Sequence, residues 1–212
     1  MATATKLKEV VDQVTIKAPD IRTAVFSIKG TAPYVQCRFS EKAKQAMMTK
    51  MALGSQANNS RARVARDFDQ DYKDAVHVST EGWIGIPAGA FRNGMISACR
   101  LVRFKMTLAK LSVFVKADGF DKDDGLPLVR LEGTPKRIDS ATRNANNSTD
   151  IRVRAIWREW SAKVAVTYDA DQFSQTDVAN LMHRVGSQVG IGEGRPDSRD
   201  SAGLGWGTFE LK

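Results

Sequence analysis

Two stretches of the chain carry basic residues and no acidic ones, a pattern that can bind phosphate groups. Lys42 to Arg66 contains six cations, and residues 82–117 contain six more. The whole chain of 212 residues has 32 Lys and Arg against 24 Asp and Glu, which gives a net charge of +8. Segregated charge focuses an electrostatic field that attracts polyanions. Solvated surface neutralised by nearby acids explains the same pattern, so both interpretations stay open.

A glycine-rich segment is the second candidate for phosphate contact. Seven of the sixteen glycines lie between residues 186 and 207, in GIGEGRP at 190–196 and GLGWG at 203–207. Glycine admits positive φ and close backbone approach, so its amides can form an anion nest, with Arg195 and Arg199 adding charge. No GK[ST] follows and the segment precedes a strand, which excludes a P-loop and a dinucleotide fingerprint. A wide turn between a helix and a strand is equally compatible with these residues.

Residues able to ligate a metal or to act in acid–base catalysis are few. Asp67, Asp69 and Asp71 would share one side of an extended segment and could hold a divalent cation, but no further ligand accompanies them. We expect His77 to be solvated. The two cysteines lie too far apart in the sequence for a zinc motif, so we expect two buried, reduced thiols. The sequence predicts no metal, no cofactor and no enzymatic activity.

Hydrophobic periodicity places these residues on alternating strands and helices. Strands are predicted at 23–28, 83–86, 108–115, 160–168 and 205–211, with a further short strand at 128–131. One helix follows the N-cap Ser40, and a second follows Pro87. A third helix begins after Ser174, where Asp177 completes a capping box, and is expected to end at Gly186.

The order strand, helix, two strands, helix, strand predicts an α+β fold with a ferredoxin-like (RRM-like) β-α-β-β-α-β core. Residues 1–20 would form an N-terminal arm and residues 21–212 a single domain, with insertions at about 53–80 and 117–150. Within the second insertion, residues 138–150 are interpreted as loop or disorder. No apolar run could span a membrane and no signal peptide is evident, so the predicted location is cytoplasmic.

Several short motifs, in their order along the chain, resemble one known family. They are IKGTAP at 28–33, FSEK at 39–42, IPAGAF at 86–91, the strand that starts at Trp160, GIGEGRP at 190–196 and GWGTF at 205–209. Together they resemble phage-borne relatives of the RAMP superfamily, which supplies the backbone subunits of CRISPR effector complexes. The resemblance covers roughly residues 22–211. It implies a ferredoxin-like core, a thumb-like insertion, a glycine-rich loop after the last helix, and polymerisation along a single strand of RNA.

The resemblance also implies which residues contact nucleic acid. Residues 53–80 would be the thumb, and the helix after Pro87 would line a groove. The implied contacts are Arg38, Lys42, Arg61, Arg63, Arg66, Arg92, Gly190, Gly192, Gly194, Arg195 and Arg199. Gly194 stands where the family pattern has a bulky aromatic residue, which argues against base stacking by this loop. RNA and single-stranded DNA both remain open as the ligand.

Three functions follow from these observations. The first is sequence-independent binding of single-stranded nucleic acid by a homo-oligomer, a filament or a ring, that assembles along the strand. The second is a structural or assembly protein of a phage particle, whose basic face contacts protein and whose oligomers form without nucleic acid. The third is a RAMP-type nuclease, which needs an acid or histidine constellation that the sequence does not display. Salt-sensitive binding to single strands separates the first function from the second.

Overall fold

The structure is a computed structural model that describes residues 16–38, 41–54, 66–143, 149–198 and 203–212. Most of the expected N-terminal arm and the central part of the expected thumb lie outside these residues. In the part of the chain that is described, no helix is both long enough and apolar enough to cross a membrane.

Eleven strands and five α-helices are described. The strands are β1 (Ile21–Gly30), β2 (Tyr34–Gln36), β3 (His77–Val78), β4 (Ile84–Pro87), β5 (Val113–Lys116), β6 (Gly119–Phe120), β7 (Pro127–Glu132), β8 (Lys136–Arg143), β9 (Thr149–Trp157), β10 (Ser161–Asp169) and β11 (Phe209–Leu211). The helices are α1 (Glu41–Leu53), α2 (Phe68–Asp74), α3 (Ala88–Ala98), α4 (Met106–Ser112) and α5 (Gln175–Arg184). A 3₁₀ turn (Cys99–Val102) extends α3, and a π-helical turn (Val185–Val189) extends α5. Helices together with antiparallel sheets confirm the predicted α+β class.

The main sheet is antiparallel and is built around β1 and β10. These two strands pair along nearly their whole lengths. β11 pairs with the free edge of β1, and β5 pairs with the second half of β10. The order across this part of the sheet is therefore β11-β1-β10-β5. Ala24 and Ile28 of β1 and Val164 and Val166 of β10 are buried in one core with side chains of α3 and α5.

A second group of strands continues this sheet and forms the base of the site described below. β7 pairs with the start of β10, β4 pairs with β7, and β3 and β6 pair with β4 and β7 respectively. A separate three-stranded sheet has the order β2-β9-β8. It places the basic strand β9 directly beside β2, whose three residues are all buried.

Periodicity predicted most of the core-facing positions. The strand predicted at 23–28 lies within β1, and those at 83–86, 128–131 and 160–168 correspond to β4, β7 and β10. Phe91, Met95 and Ala98 of α3 are buried as predicted. Val102, the expected fourth member of that stripe, is 45% exposed. The helix tightens into the 3₁₀ turn before reaching it, which rotates Val102 away from the core.

The strand predicted at 108–115 is wrong in its first half. Residues 106–112 form α4, and only Val113–Lys116 pair as a strand. Met, Leu, Ala and Lys are good helix formers, whereas Val113 and Val115 are β-branched. The Ser112 hydroxyl donates a hydrogen bond to the Leu108 carbonyl, which closes the last turn of the helix.

The expectation of loop or disorder at 138–150 is also wrong where the structure describes it. β8 and β9 form a long antiparallel hairpin whose register runs from Lys136 opposite Ile156 to Arg143 opposite Thr149. Backbone hydrogen bonds hold the two strands of this hairpin together. Their side chains therefore need little of the apolar alternation by which a strand is recognised in a sequence. Polar and charged side chains are typical of an edge strand such as β8.

The last helix begins as predicted and ends later than predicted. Ser174 and Asp177 form the capping box. Gly186 does not terminate the helix, because the chain continues through the π-helical turn to Gly190, whose φ is 70°. Gly186 is instead buried where a Cβ would overlap the Phe209 carbonyl oxygen, so it permits close packing of β11. Of the strand predicted at 205–211, only Phe209–Leu211 pairs with β1.

Candidate functional site

A cleft of about 440 Å³ lies between β2, the start of α3, strand β9 and the glycine-rich segment. We call it the β2 cleft. Its walls include His77, Pro87, Arg152, Gly192 and Arg195. Two elements that the sequence predicted to approach nucleic acid, the helix after Pro87 and the glycine-rich segment, therefore meet at one place.

Arginine side chains outnumber carboxylates on one wall of the β2 cleft. Arg154, whose side chain is 6% exposed, donates a hydrogen bond from Nη2 to Glu193 Oε1 at 2.6 Å. Arg152 approaches the same oxygen at 3.9 Å. Arg195 donates to the Gly192 carbonyl at 3.2 Å, a neutral acceptor. The buried guanidinium of Arg154 balances the Glu193 carboxylate. Arg152 and Arg195 add two cations to this wall, in a partly buried setting where screening is weaker.

The N-terminus of α3 contributes a second positive feature. Pro87 precedes the helix and no side chain caps its first amides, and its first turn contains no acidic residue. A Cβ placed on Gly89 would meet nothing within 4 Å, so solvent reaches this turn. Pro87 and Ala90 line the β2 cleft. An uncapped helix start carries unsatisfied N–H groups and a partial positive charge, both of which favour an anion.

A buried ion-pair network lies beneath the opposite wall. The carboxylate of Asp121 has no exposed surface and accepts hydrogen bonds from the Asp123 backbone amide and from His77 Nδ1, both at 2.9 Å. Arg38 pairs with Asp121 at 3.3 Å and with Asp123 at 2.7 Å. Burial by itself raises the pKa of Asp121, but the Asp123 amide, His77 and Arg38 together hold it below its ordinary value. His77 is therefore an anchored ring and is not solvated as expected.

This network revises two predictions from the sequence. Arg38 is 7% exposed and neutralised by carboxylates, so we withdraw it from the phosphate contacts. Single ligand atoms of His77, Asp121 and Asp124 lie within 4.8 Å of one another, close enough to suggest a metal site. The guanidinium of Arg38 already supplies the positive charge among these carboxylates, and this donor set does not favour a cation.

The aspartates first considered as metal ligands have other roles. Asp67 is the N-cap of α2 and accepts from the backbone amides of Asp69 and Gln70. Asp69 pairs with Arg137 of β8. Asp71 pairs with Arg66. Because the segment is helical and not extended, the carboxylates diverge, and they do not form a shared site.

Other predicted contacts are occupied by intramolecular bonds. Arg66 pairs with Asp71 and Asp150 and also donates to the Ile151 carbonyl, which ties α2 to β9. Arg92 donates to the carbonyls of Val113 and Lys110. These bonds give both residues structural roles. The Arg66 side chain is still 42% exposed, and a contact of either residue with nucleic acid stays a prediction. The side chains of Lys42, Arg61, Arg63 and Arg199 lie outside the described residues.

The glycine-rich segment is a folded wall, not an open nest. The amide of Ile191 donates to the Gly207 carbonyl, and the amide of Glu193 donates to the Val35 carbonyl of β2. A Cβ on Gly192 would approach the Tyr34 ring at 2.6 Å, and one on Gly194 would approach the Trp206 ring at 2.7 Å. The glycines therefore permit close packing against β2 and Trp206. Of the predicted contacts in this segment, the structure places Gly192 and Arg195 in the cleft wall.

Sequence reasoning missed three important residues of the cleft: Arg152, Arg154 and Glu193. The two arginines alternate with Ile151 and Val153 in β9, a signal that was present in the sequence. It was overlooked because the preceding residues were interpreted as loop. Glu193 was visible only as part of a glycine-rich string, and its pairing with β9 depends on long-range contacts.

Of the two cysteines expected to be buried, Cys99 is buried and Cys37 is exposed. Cys37 lines the same cleft but is not an activated nucleophile. Burial raises the pKa of its thiol, and the neighbouring Glu193 raises it further, against smaller lowering effects of Arg154 and Arg152. The thiol is therefore protonated at neutral pH, and the thiolate is the form that reacts.

No protein-family model matches this chain, and no curated protein aligns with it at significant similarity. The geometry of the β2 cleft must therefore carry the functional argument.

Proposed function

We propose that the protein binds single-stranded nucleic acid, with phosphates held in the β2 cleft, and that copies assemble side by side along the strand. The observation that carries this proposal is the pair of cleft-lining cations Arg152 and Arg195, next to the uncapped start of α3. The Glu193 carboxylate in the same wall is already balanced by the buried Arg154. Guanidinium groups and helix N-termini are recurrent phosphate ligands. A contact that reads only the backbone is independent of base sequence.

The topology supports a RAMP-like assignment within this proposal. The strand order β11-β1-β10-β5, with α3 between β1 and β5 in the chain and α5 between β10 and β11, is compatible with a ferredoxin-like core. On this interpretation the second insertion contains β6, β7 and the β8–β9 hairpin and extends past its predicted end at 150 to Trp157. The first insertion contains α2 and, because it starts before the predicted residue 53, also α1. The packing of the glycine-rich segment beside β2 agrees with the loop that the resemblance implies. Fold alone does not determine function, so the cleft remains the decisive feature.

Binding should weaken as salt rises and should depend on the cleft arginines. We expect salt-sensitive fluorescence anisotropy with short single-stranded RNA or DNA, and weaker binding to duplex DNA. In the Arg152→Ala/Arg195→Ala variant, the slope of log K against log salt should flatten by about 1.4, since each lost phosphate contact on a single strand removes about 0.7.

The Lys29→Ala/Lys163→Ala variant is the matched control. It removes the same charge from exposed positions of β1 and β10, away from the cleft. Equal slopes for both variants would reject the cleft as the phosphate site. Absence of binding by the unmodified protein would favour the alternative of a structural or assembly protein that uses its basic face for protein contacts.

RNA cleavage is a second candidate function, favoured by one observation. His77 lines the β2 cleft, and its Nδ1 donates to a fully buried carboxylate, which leaves Nε2 as the ring nitrogen able to accept a proton. In such a reaction His77 would take the proton of a ribose 2′-hydroxyl. The 2′-oxygen would attack phosphorus, and the departing 5′-oxygen would take a proton from water.

This second candidate predicts cleavage of RNA, but not of DNA, in the presence of EDTA. The products would end in a 2′,3′-cyclic phosphate and a 5′-hydroxyl. His77→Ala should abolish cleavage while leaving the affinity for a short RNA within about twofold, which gel analysis and anisotropy would measure. Intact RNA after prolonged incubation with the unmodified protein would reject this candidate and leave the binding proposal unaffected.

A further inference from the structure

A second groove lies away from the β2 cleft, along α5. It encloses about 740 Å³ and is lined by Val102, Phe104, Phe173, Leu181 and Arg184, among others. We call it the α5 groove. Its floor is apolar, with the rings of Phe104 and Phe173 in contact at 4.7 Å between centroids. An open groove with an apolar floor is a common docking site for a protruding side chain.

The rim of the α5 groove is basic. Arg184 lines the groove, and Arg103 and Lys105 flank Phe104 in the chain. None of these three cations forms an ion pair within the described residues. Asp177 is the acidic residue of the lining, and its carboxylate already accepts from Ser174 in the capping box. The groove therefore fits an apolar group that is surrounded by negative charge.

The same chain presents such a group on a different surface. Phe120, at the end of the short edge strand β6, is 55% exposed. Three exposed aspartates lie near it in the sequence: Asp118, Asp123 and Asp124. The carboxylate of Asp121 is buried and does not contribute to this surface. Two cations, Arg38 and Lys122, pair with members of this group. We call residues 118–124 the Phe120 knob.

We propose that the Phe120 knob of one copy docks in the α5 groove of the next copy. The two surfaces are complementary in charge, and each supplies the apolar element that the other needs. They share no residue, so the contact is heterologous, and its repetition generates a filament or a closed ring. A nucleic acid is a poorer occupant of the groove, because the ring of Phe173 is buried and is not available to stack on a base.

The contact between copies operates within the proposed assembly along a strand, and in that respect it rests on the proposed function. Its test needs no nucleic acid, so the contact between copies and the proposed function can fail separately. Sedimentation velocity of the unmodified chain should show mass rising with protein concentration and falling as salt rises. Phe120→Ala, a knob variant, and Lys105→Glu/Arg184→Glu, a groove variant, should each remain monomeric. Arg103 is left unchanged because its φ is 56°, and a replacement at such a positive φ would also change the backbone strain.

Mixing the two variants gives the sharpest result. Each retains one of the two surfaces, so an equimolar mixture should form dimers and nothing larger. Phe68→Ala and Lys50→Glu/Lys73→Glu are matched controls, since Phe68 and both lysines are exposed elsewhere. Both controls should assemble as the unmodified chain does, and unchanged melting temperatures would confirm that all variants fold.

Three results would overturn the proposal. They are an unmodified chain that stays monomeric at all concentrations, knob and groove variants that assemble normally, and a mixture that contains no dimer. Binding of a short oligonucleotide by the monomeric variants, at the affinity of the unmodified protein, would show that the cleft works independently of this contact. If the unmodified protein does not bind an oligonucleotide, that result counts against the proposed function and not against the contact between copies.

Discussion

Replacing Gly207 by alanine is expected to lower the free energy of unfolding by more than about 3 kcal/mol. Gly207 has a φ of 69°, and a Cβ at this position would overlap the carbonyl oxygen of Ile191. The same residue donates to the Pro33 carbonyl and accepts from the Ile191 amide. The backbone must therefore shift at the point that joins the glycine-rich segment to the residues before β2. Denaturant unfolding followed by circular dichroism would measure the loss.

Gly205→Ala is the matched control for this effect. Its φ is 72°, nearly the same, but a Cβ there would meet nothing within 4 Å. Only the conformational strain of a positive φ remains, which costs about 1 kcal/mol. A similar loss in both variants would mean that close approach to Ile191 does not constrain the segment. A large loss at Gly207 alone would establish that tight backbone packing holds this wall of the β2 cleft.

Replacing Asp121 by alanine is expected to cost about 3–5 kcal/mol of stability. The substitution removes a fully buried carboxylate that binds His77, Arg38 and the Asp123 amide at once. It leaves Arg38, itself largely buried, with fewer carboxylates to balance its charge. Asp123→Ala serves as the comparison, because that side chain is about one-third exposed and is expected to cost about 1 kcal/mol. Equal losses in the two variants would contradict the central role of Asp121.

The same network predicts a pH dependence of defined sign. The folded-state pKa of Asp121 lies below its ordinary value of about 4, so its ionised form is favoured by folding. This stabilisation is present above the unfolded-state pKa and is lost as pH falls through the folded-state pKa. Asp121→Asn keeps the shape and removes the titration, so its stability should fall less steeply on acidification below about pH 5 than that of the unmodified protein. Parallel acid-unfolding curves would exclude Asp121 as a source of acid sensitivity.

The roles of Gly207 and Asp121 could be predicted from the sequence only in part. The glycine-rich segment was identified from composition, but the same residues fit an exposed anion nest and a tightly packed wall. Hydrogen bonds from the Ile191 amide to Gly207 and from the Glu193 amide to Val35 show that the segment is a tightly packed wall. In the sequence, Asp121 is only one of four aspartates between residues 118 and 124. Its burial depends on Arg38 and His77, which lie more than forty positions away in the chain.

The sequence by itself determined the features that local periodicity and capping encode. It predicted the buried faces of β1 and β10, the stripe of Phe91 and Met95, and the capping box of Ser174 and Asp177, because these depend on residues a few positions apart. It did not determine α4 or the β8–β9 hairpin. In α4, helix propensity outweighed the apolar pattern. In the β8–β9 hairpin, the pairing of polar edge strands outweighed it.

Only the tertiary structure decided which charges are available to a partner. Arg38, Arg66 and Arg92 resemble Arg195 in sequence, yet Arg38 is neutralised by aspartates more than eighty positions away. Arg66 pairs with the nearby Asp71 and the distant Asp150, and Arg92 is bonded to backbone carbonyls. Arg152 and Arg154 gained their place in the cleft from the pairing of β9 with β2. A charge remains available only where the fold brings no counter-charge to it, and that depends on contacts between residues far apart in the chain.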